Sequence, residues 1–284
     1  MATLVQILAQ GLSISAVLLL SALGLSIIYG VMGVVNLAHG EFVMLGAYVM
    51  VLLSAALSPW GAILVAPVVV GAIGLLVDRT LIRWLYHEPV KSMLGTFGLA
   101  LVIRQLVLLV EGPDLRYVGL PLTASIPLGF GEELPVWRVA LIGFAGLATV
   151  IVAVWLIRSD FGLRVRTATM DSEIAQSLGI NISLVNAASF AIGTAAAGLA
   201  GALIAPLYSV YPGMGTTYLV GAFLVVVLAG LGDIRGLATW AVGIGLVTAA
   251  VAVPANDLLA QVVVWCLALA IVALRRDSLL PARV

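Results

Sequence analysis

Apolar residues run almost unbroken along this chain, and the few polar positions fall between the runs or near their ends. Nine apolar segments can be drawn, near 6–30, 41–57, 60–77, 92–110, 137–157, 186–207, 218–231, 237–253 and 258–274, with eight as the alternative count. A helix needs about 20 apolar residues to cross the hydrocarbon of a bilayer. The segments at 60–77 and 218–231 fall short of that, and tilted, broken or re-entrant helices are expected there. Strands of a membrane barrel would show as alternating stretches of ~10 residues, and nothing here alternates in that way. The predicted fold is therefore all-α, a single polytopic transmembrane helical bundle over 1–284. The run Gly193-Thr194-Ala195-Ala196-Ala197-Gly198-Leu199-Ala200-Gly201 carries small residues at spacings that let helix backbones approach closely in lipid.

One polar island breaks the apolar stretch between Leu12 and Leu57. It reads Asn36-Leu37-Ala38-His39-Gly40-Glu41, and Glu41 is the only acidic residue before Asp78. The pattern predicts a helix end, a short turn and a new helix. Asn36 is suited to cap that helix by accepting from its free N–H groups. Gly40 would relax the backbone, and Glu41 would sit where the positive end of the helix dipole favours an anion. Two readings stay open: a cap at the membrane surface, or a polar element lining a substrate path. The second follows because intramembrane polar groups are costly and face a cavity or a partner.

Composition agrees with the hydropathy pattern. Apolar residues make up 63% of the chain and charged residues 9%, too little charge for the surface of a soluble domain of this length. Zero net charge argues against an electrostatic grip on nucleic acid. The lone cysteine, Cys266, excludes an intrachain disulfide and lies in an apolar segment. The start of the chain lacks the basic flank of a cleaved signal peptide, so insertion is expected to rest on the helices themselves.

The basic residues predict an orientation. With Arg275, Arg276 and Arg283 in the cytoplasm, counting back through nine segments places 79–91, 158–185 and 232–236 on the same side. Ten of the thirteen basic residues then lie inside, including Arg79, Arg83, Lys91, Arg158, Arg164, Arg166 and Arg235. That satisfies the positive-inside rule and gives an N-out, C-in topology.

Two connections are long. The outer one, 111–136, holds Glu111, Asp114, Glu132 and Glu133 with four prolines, so an ordered cap or extended loop is expected rather than a long helix. Its acidity reads as solvation or as a docking surface for an external protein. The inner one, 158–185, predicts a short helix starting at Thr169 or Asp171, with Asp171 and Glu173 in its first turn. Gly179 would stop it after about two turns. Met170, Ile174 and Leu178 recur every fourth residue as one apolar stripe. A helix this short is unstable alone in water, so the stripe needs a surface, either its own membrane domain or a groove of another protein. Arg164 and Arg166 stand beside it as candidates to steer docking, and Ser183 is placed to cap the next membrane helix.

Other polar positions carry less. Arg104 lies within 92–110 and must pair, line water or snorkel to the headgroups. Thr96, with Gly95 and Gly98, marks a close approach or a pore face. Tyr208, Tyr211, Pro212 and Tyr218 read as interfacial anchors. Gly230-Leu231-Gly232-Asp233-Ile234-Arg235-Gly236 is a tight inner turn that loosely echoes the Asn36 island.

Several chemistries are excluded. No Gly-x-x-x-x-Gly-Lys-Ser/Thr loop surrounds the single lysine, Lys91, so ATP is not bound here in the P-loop manner. His39 and His87 show no metal-ligand spacing with each other or with Cys266. There is no Gly-x-Ser-x-Gly elbow, and His39 and Glu41, two apart on a helix, do not face each other. An enzyme is not expected, nor is a cofactor of its own.

The stretch Asn36-Leu37-Ala38-His39-Gly40-Glu41-Phe42-Val43-Met44-Leu45-Gly46-Ala47-Tyr48 resembles the signature of bacterial ABC-transporter permeases for branched-chain amino acids. The resemblance continues at Thr96-Phe97-Gly98-Leu99, at Phe161-Gly162-Leu163-Arg164-Val165-Arg166, at Ala175-Gln176-Ser177-Leu178-Gly179-Ile180 and at the 230–236 turn. It covers essentially the whole chain in order. It implies a multi-pass permease of the bacterial inner membrane, paired with a second related permease subunit or a second copy of this chain. It further implies two cytoplasmic ATPase subunits, which bind the ATP, and a periplasmic substrate-binding protein. By the resemblance the loop before Gly179 is the coupling helix that seats on the ATPase, involving Arg164, Arg166, Met170, Glu173, Ile174, Leu178 and Gly179. Asn36, His39, Glu41 and Thr96 become the expected substrate-pathway residues. The chain departs from the commonest pattern at Ala229, where a second glycine is usual, and at Asp233, where serine is commoner. The same family includes permeases for urea, short-chain amides and aromatic acids, so the substrate stays open. A stand-alone carrier or channel, and a non-transporting scaffold, are the rivals from other classes.

Overall fold

The computed structural model describes residues 2–86, 88–129, 132–230 and 233–274. The helices are α1 (Ala2–Met32), α2 (His39–Thr80), α3 (Pro89–Glu111), α4 (Val136–Arg158), α5 (Asp160–Met170), α6 (Ser172–Ser177), α7 (Ile182–Ile204), α8 (Gly215–Ala229), α9 (Ile234–Ala252) and α10 (Asp257–Leu274). Each predicted apolar segment falls on one of these helices. Six are long and apolar enough to cross a membrane, and two shorter apolar ones cover Gly215–Ala229 and Asp257–Ile271. Leucines and valines such as Leu64, Val68, Leu109 and Val110 stand exposed around the bundle, as a lipid-facing surface requires. The fold is an all-α polytopic membrane bundle.

Its centre is α7, which packs against α1 and both arms of α2. Small residues make this possible. A Cβ at Gly201 would collide with the Val43 carbonyl oxygen, and one at Gly46 with the Gly198 carbonyl oxygen. Backbones therefore touch directly, and the driving force is close packing rather than any difference in polarity from lipid. Phe42 and Phe190 lock the same seam with ring centroids 6.0 Å apart, edge to face.

The segments 41–57 and 60–77 join into one element that folds back on itself. Gly198 lies against Gly46 and also against Ala66 and Val70. Twenty residues of straight helix would separate Gly46 from Ala66 by about 30 Å, so the chain must reverse between them. The reversal is at Ser58, with φ 63° and ψ 159°, immediately before Pro59. Proline biases its predecessor away from the helical region. Trp60, just past the bend, packs on Trp137 at 5.9 Å.

A second core joins α8, α9 and α10 to Leu18, Ala22 and Leu25 of α1. The predicted extended cap at 111–136 contains a feature that the all-α expectation did not include. Strands β1 (Ser125–Gly129) and β2 (Glu132–Pro135) pair antiparallel as a small ribbon. Arg116 and Val210 exchange backbone hydrogen bonds of 2.8 and 2.9 Å, fastening this connection to the segment before α8.

Candidate functional site

The polar island lies deep in the bundle, with Asn36, His39 and Glu41 all buried. Its detailed geometry differs from the expected cap. α2 begins at His39 with Ala38 as its N-cap, and no side chain caps it. Asn36 instead accepts from the Ala38 N–H at 3.0 Å, shaping the turn one step earlier. Gly40 serves close packing rather than flexibility, since its backbone lies against that of Gly215, where a Cβ on either would collide. The first turns of α2 and α8 thus abut.

Three elements hold the island in place. Thr96 of α3 accepts from the Leu37 N–H at 3.1 Å and donates back to its own helix, with Ser92 O 2.8 Å away. This pins the connection between α1 and α2 onto α3. His39 Nε2 lies 2.9 Å from the Ser21 carbonyl oxygen of α1. A carbonyl only accepts, so Nε2 carries the proton and Nδ1 is an acceptor, buried and without a partner. His39 and Glu41 point to different neighbours, in keeping with their spacing.

Glu41 meets Arg104. Arg104 Nη2 donates to Glu41 Oε1 at 2.5 Å and to Thr216 Oγ1 at 2.7 Å. Of the three fates open to Arg104, pairing is the one adopted. Its side chain remains 36% exposed while that of Glu41 is 3% exposed. Glu41 Oε2 and Arg104 Nε are buried without partners. Gly213, with φ 108°, donates its N–H to Met44 Sδ at 3.5 Å and fixes the approach to α8. Of the four expected pathway residues, the structure brings Asn36 and Thr96 to one turn and points His39 and Glu41 away from each other. Arg104 was flagged as needing a partner without that partner being named, and Thr216 was not singled out. The available signal was charge balance: one acid and one base, each isolated in an apolar span, are each other's cheapest partners.

The second candidate region is the connection at 158–185, more ordered than a loop. Ser159 accepts from Gly162 N at 3.0 Å and caps α5, a helix not foreseen from the sequence. A Cβ at Gly162 would collide with the Leu156 carbonyl oxygen, and Phe161 stacks on Trp155 at 5.0 Å. Arg166 Nη1 donates to the Leu156 carbonyl at 2.5 Å, closing the C-terminus of α4, whereas Arg164 is exposed. Asp171 caps α6 as expected, its Oδ1 accepting from Glu173 N and Ile174 N at 2.9 Å each. Gly179, at φ 82°, stops it, and Ile180 N closes back on Ala175 O at 3.0 Å. Met170 belongs to the end of α5 rather than to the short helix. Asn181, not Ser183, caps α7 by accepting from Leu184 N at 3.1 Å.

Met170, Ile174 and Leu178 are 88%, 56% and 70% exposed, so none packs on its own membrane domain, and the extended backbone of Asp171 between α5 and α6 breaks the single helical stripe expected of them. Ala175 alone of α6 is buried. Asp233 caps α9 through Arg235 N at 3.0 Å, while Leu231 and Gly232 of that turn lie outside the described residues. So do His87, Arg275, Arg276 and Arg283. Lys91 is exposed and pairs with Glu88 at 2.7 Å.

A bundle of apolar helices packed through glycine, with a charged pair held inside its spans, defines a polytopic membrane protein. The profile of the family described as branched-chain amino acid transport system / permease component matches residues 7–273, and the chain belongs to that family. It is 30% identical over 253 residues to the high-affinity branched-chain amino acid transport system permease protein LivH of Escherichia coli K12, covering 80% of this chain and 79% of that one. It is 26% identical over 249 residues to BraD of Pseudomonas aeruginosa, a permease protein of the same description, covering 81% and 80%. A probable branched-chain amino acid transport permease of Methanocaldococcus jannaschii is 25% identical over 235 residues, covering 78% and 73%. No solved structure matches this chain. The protein is thus an ABC-transporter permease, a multi-pass protein of the bacterial inner membrane.

Proposed function

We propose that this chain is the translocating subunit of an ATP-driven importer for branched-chain amino acids. It pairs with a second related permease or a second copy of itself. Two cytoplasmic ATPase subunits drive it, and a periplasmic binding protein delivers the substrate. The observation that carries the reading is the exposure of three large apolar side chains on the capped α5–α6 unit, Met170 at the end of α5 and Ile174 and Leu178 along α6 and its C-cap. Three large apolar side chains held in water by a cap at Asp171 and a stop at Gly179 form an unfinished interface. A groove on an ATPase would complete it, with Arg164 and Glu173 at its edge. Closure of the ATPases would push α6 and, through Asn181, the foot of α7, rocking the bundle between outward and inward access. The island of Asn36, His39, Glu41 and Thr96 would border the path.

The experiment is to replace Glu173 and Leu178 in the reconstituted transporter. ATP hydrolysis is expected to separate from uptake while the subunits still assemble. Uptake at normal rates with both residues replaced would reject the coupling role.

A further inference from the structure

Arg104 and Glu41 leave more bonding capacity unused than a purely structural pair would. A single nitrogen, Nη2, makes both of the guanidinium's bonds, whereas arginine and a carboxylate commonly close as a bidentate fork. Glu41 Oε2 is buried in a side chain only 3% exposed and has no partner, nor has Arg104 Nε. One acceptor and one donor of opposite charge are therefore left unsatisfied within a single ion pair. The abutting first turns of α2 and α8, at Gly40 and Gly215, add two positive helix ends to the same place. Arg104 reaches across from α3 to Thr216 of α8, and its side chain stays 36% exposed as it does so. Aliphatic side chains flank this bridge along both helices. Leu101 is one turn from Arg104 on α3, and Val220 is one turn from Thr216 on α8; both are exposed.

We propose that Arg104 and Glu41 bind the zwitterionic head of an α-amino acid. Arg104 takes the carboxylate, Glu41 Oε2 takes the ammonium, and Leu101 and Val220 receive the branched tail. A neutral pair thus meets a ligand of zero net charge, and no uncompensated charge enters the membrane at any stage. Thr216 is the placeholder that the carboxylate displaces. This assignment rests on the reading of the chain as an amino-acid permease and adds the residues that recognise the head group.

The test uses the assembled transporter in lipid nanodiscs without binding protein, so that protection reports the membrane chains. In a Cys266→Ser background, Thr216→Cys places a thiol beside Arg104. At a concentration about ten times its Kd, leucine is expected to slow its alkylation by a charged maleimide about tenfold. 4-Methylpentanoate, lacking the ammonium, and 3-methylbutylamine, lacking the carboxylate, are expected to leave the rate unchanged. Glu41→Gln should raise the leucine concentration needed for protection about tenfold, the loss of one charge-assisted bond. Thermal unfolding of the unsubstituted assembly should rank the three compounds in the same order, leucine alone raising the midpoint. If that assembly imports leucine with ATP yet leucine neither protects the thiol nor raises the midpoint, the pair is structural and the proposal is overturned. Equal protection by either analogue would overturn the zwitterion match. An unsubstituted assembly that imports no branched-chain amino acid would instead overturn the parent reading, and this proposal with it.

Discussion

Arg104 and Glu41, 63 positions apart in the chain, form an ion pair of 2.5 Å between α3 and the first turn of α2. Neither charge is stable alone at that depth, so the pair fixes how three helices meet. Removing one partner leaves the other uncompensated in a low-dielectric site, which costs about 3 kcal/mol or more. Arg104→Ala is expected to lower the thermal midpoint and the yield of folded protein in detergent. The neutral double variant Arg104→Gln/Glu41→Gln should recover most of that loss, because no charge is then stranded. Equal destabilisation by single and double variants would contradict the pairing.

The seam between α2 and α7 has no room for side chains where Gly201 meets Val43 and Gly46 meets Gly198. Gly201→Leu is expected to prevent folding, and Gly201→Ala to cost about 1–3 kcal/mol as the backbones are forced apart. Gly143→Ala on α4, where nothing lies near, should be tolerated or stabilise by up to about 1 kcal/mol through helix propensity, and serves as the control. Thermal unfolding in one detergent compares all three.

Ser58 holds a backbone conformation at φ 63° and ψ 159° that is essentially reserved for glycine. Ser58→Gly should therefore stabilise the hairpin of α2 by about 1 kcal/mol. An unchanged or lowered midpoint would mean that the hydroxyl contributes more than the strain costs.

Asp171 holds the first turn of α6 through two hydrogen bonds. Asp171→Ala should cost α6 about 1 kcal/mol, seen as faster hydrogen exchange at 173–178 with the rest of the bundle unchanged. Uptake should fall with it if α6 transmits the ATPase stroke.

Much of this was legible in the sequence because the membrane makes hydropathy decisive. Runs of leucine, valine and alanine located the arms of α1 to α4 and α7 to α10, and Asp171 and Gly179 bracketed α6 by local chemistry alone. What remained hidden depended on contacts distant in sequence. Nothing local to Gly40 indicates that Gly215 lies against it, so conformational freedom was the natural reading of a position that is really a close approach. Likewise a lone arginine in an apolar span states only that a partner is needed; which acid answers it depends on how α3 packs. Asn36 was misplaced by two residues because an amide side chain fits a turn as well as a helix cap. α5 escaped notice since its polar residues mask a helix that is anchored by Gly162, Phe161 and Val165.

The proposed function has this permease carry branched-chain amino acids under the drive of partner ATPases. Uptake of labelled leucine into vesicles holding the full assembly, with its binding protein and ATP, tests it most directly. Excess isoleucine or valine should abolish the signal, excess urea or benzoate should leave it intact, and removing ATP should stop it. Competition by urea or benzoate, or leucine uptake that persists without ATP, would contradict the account.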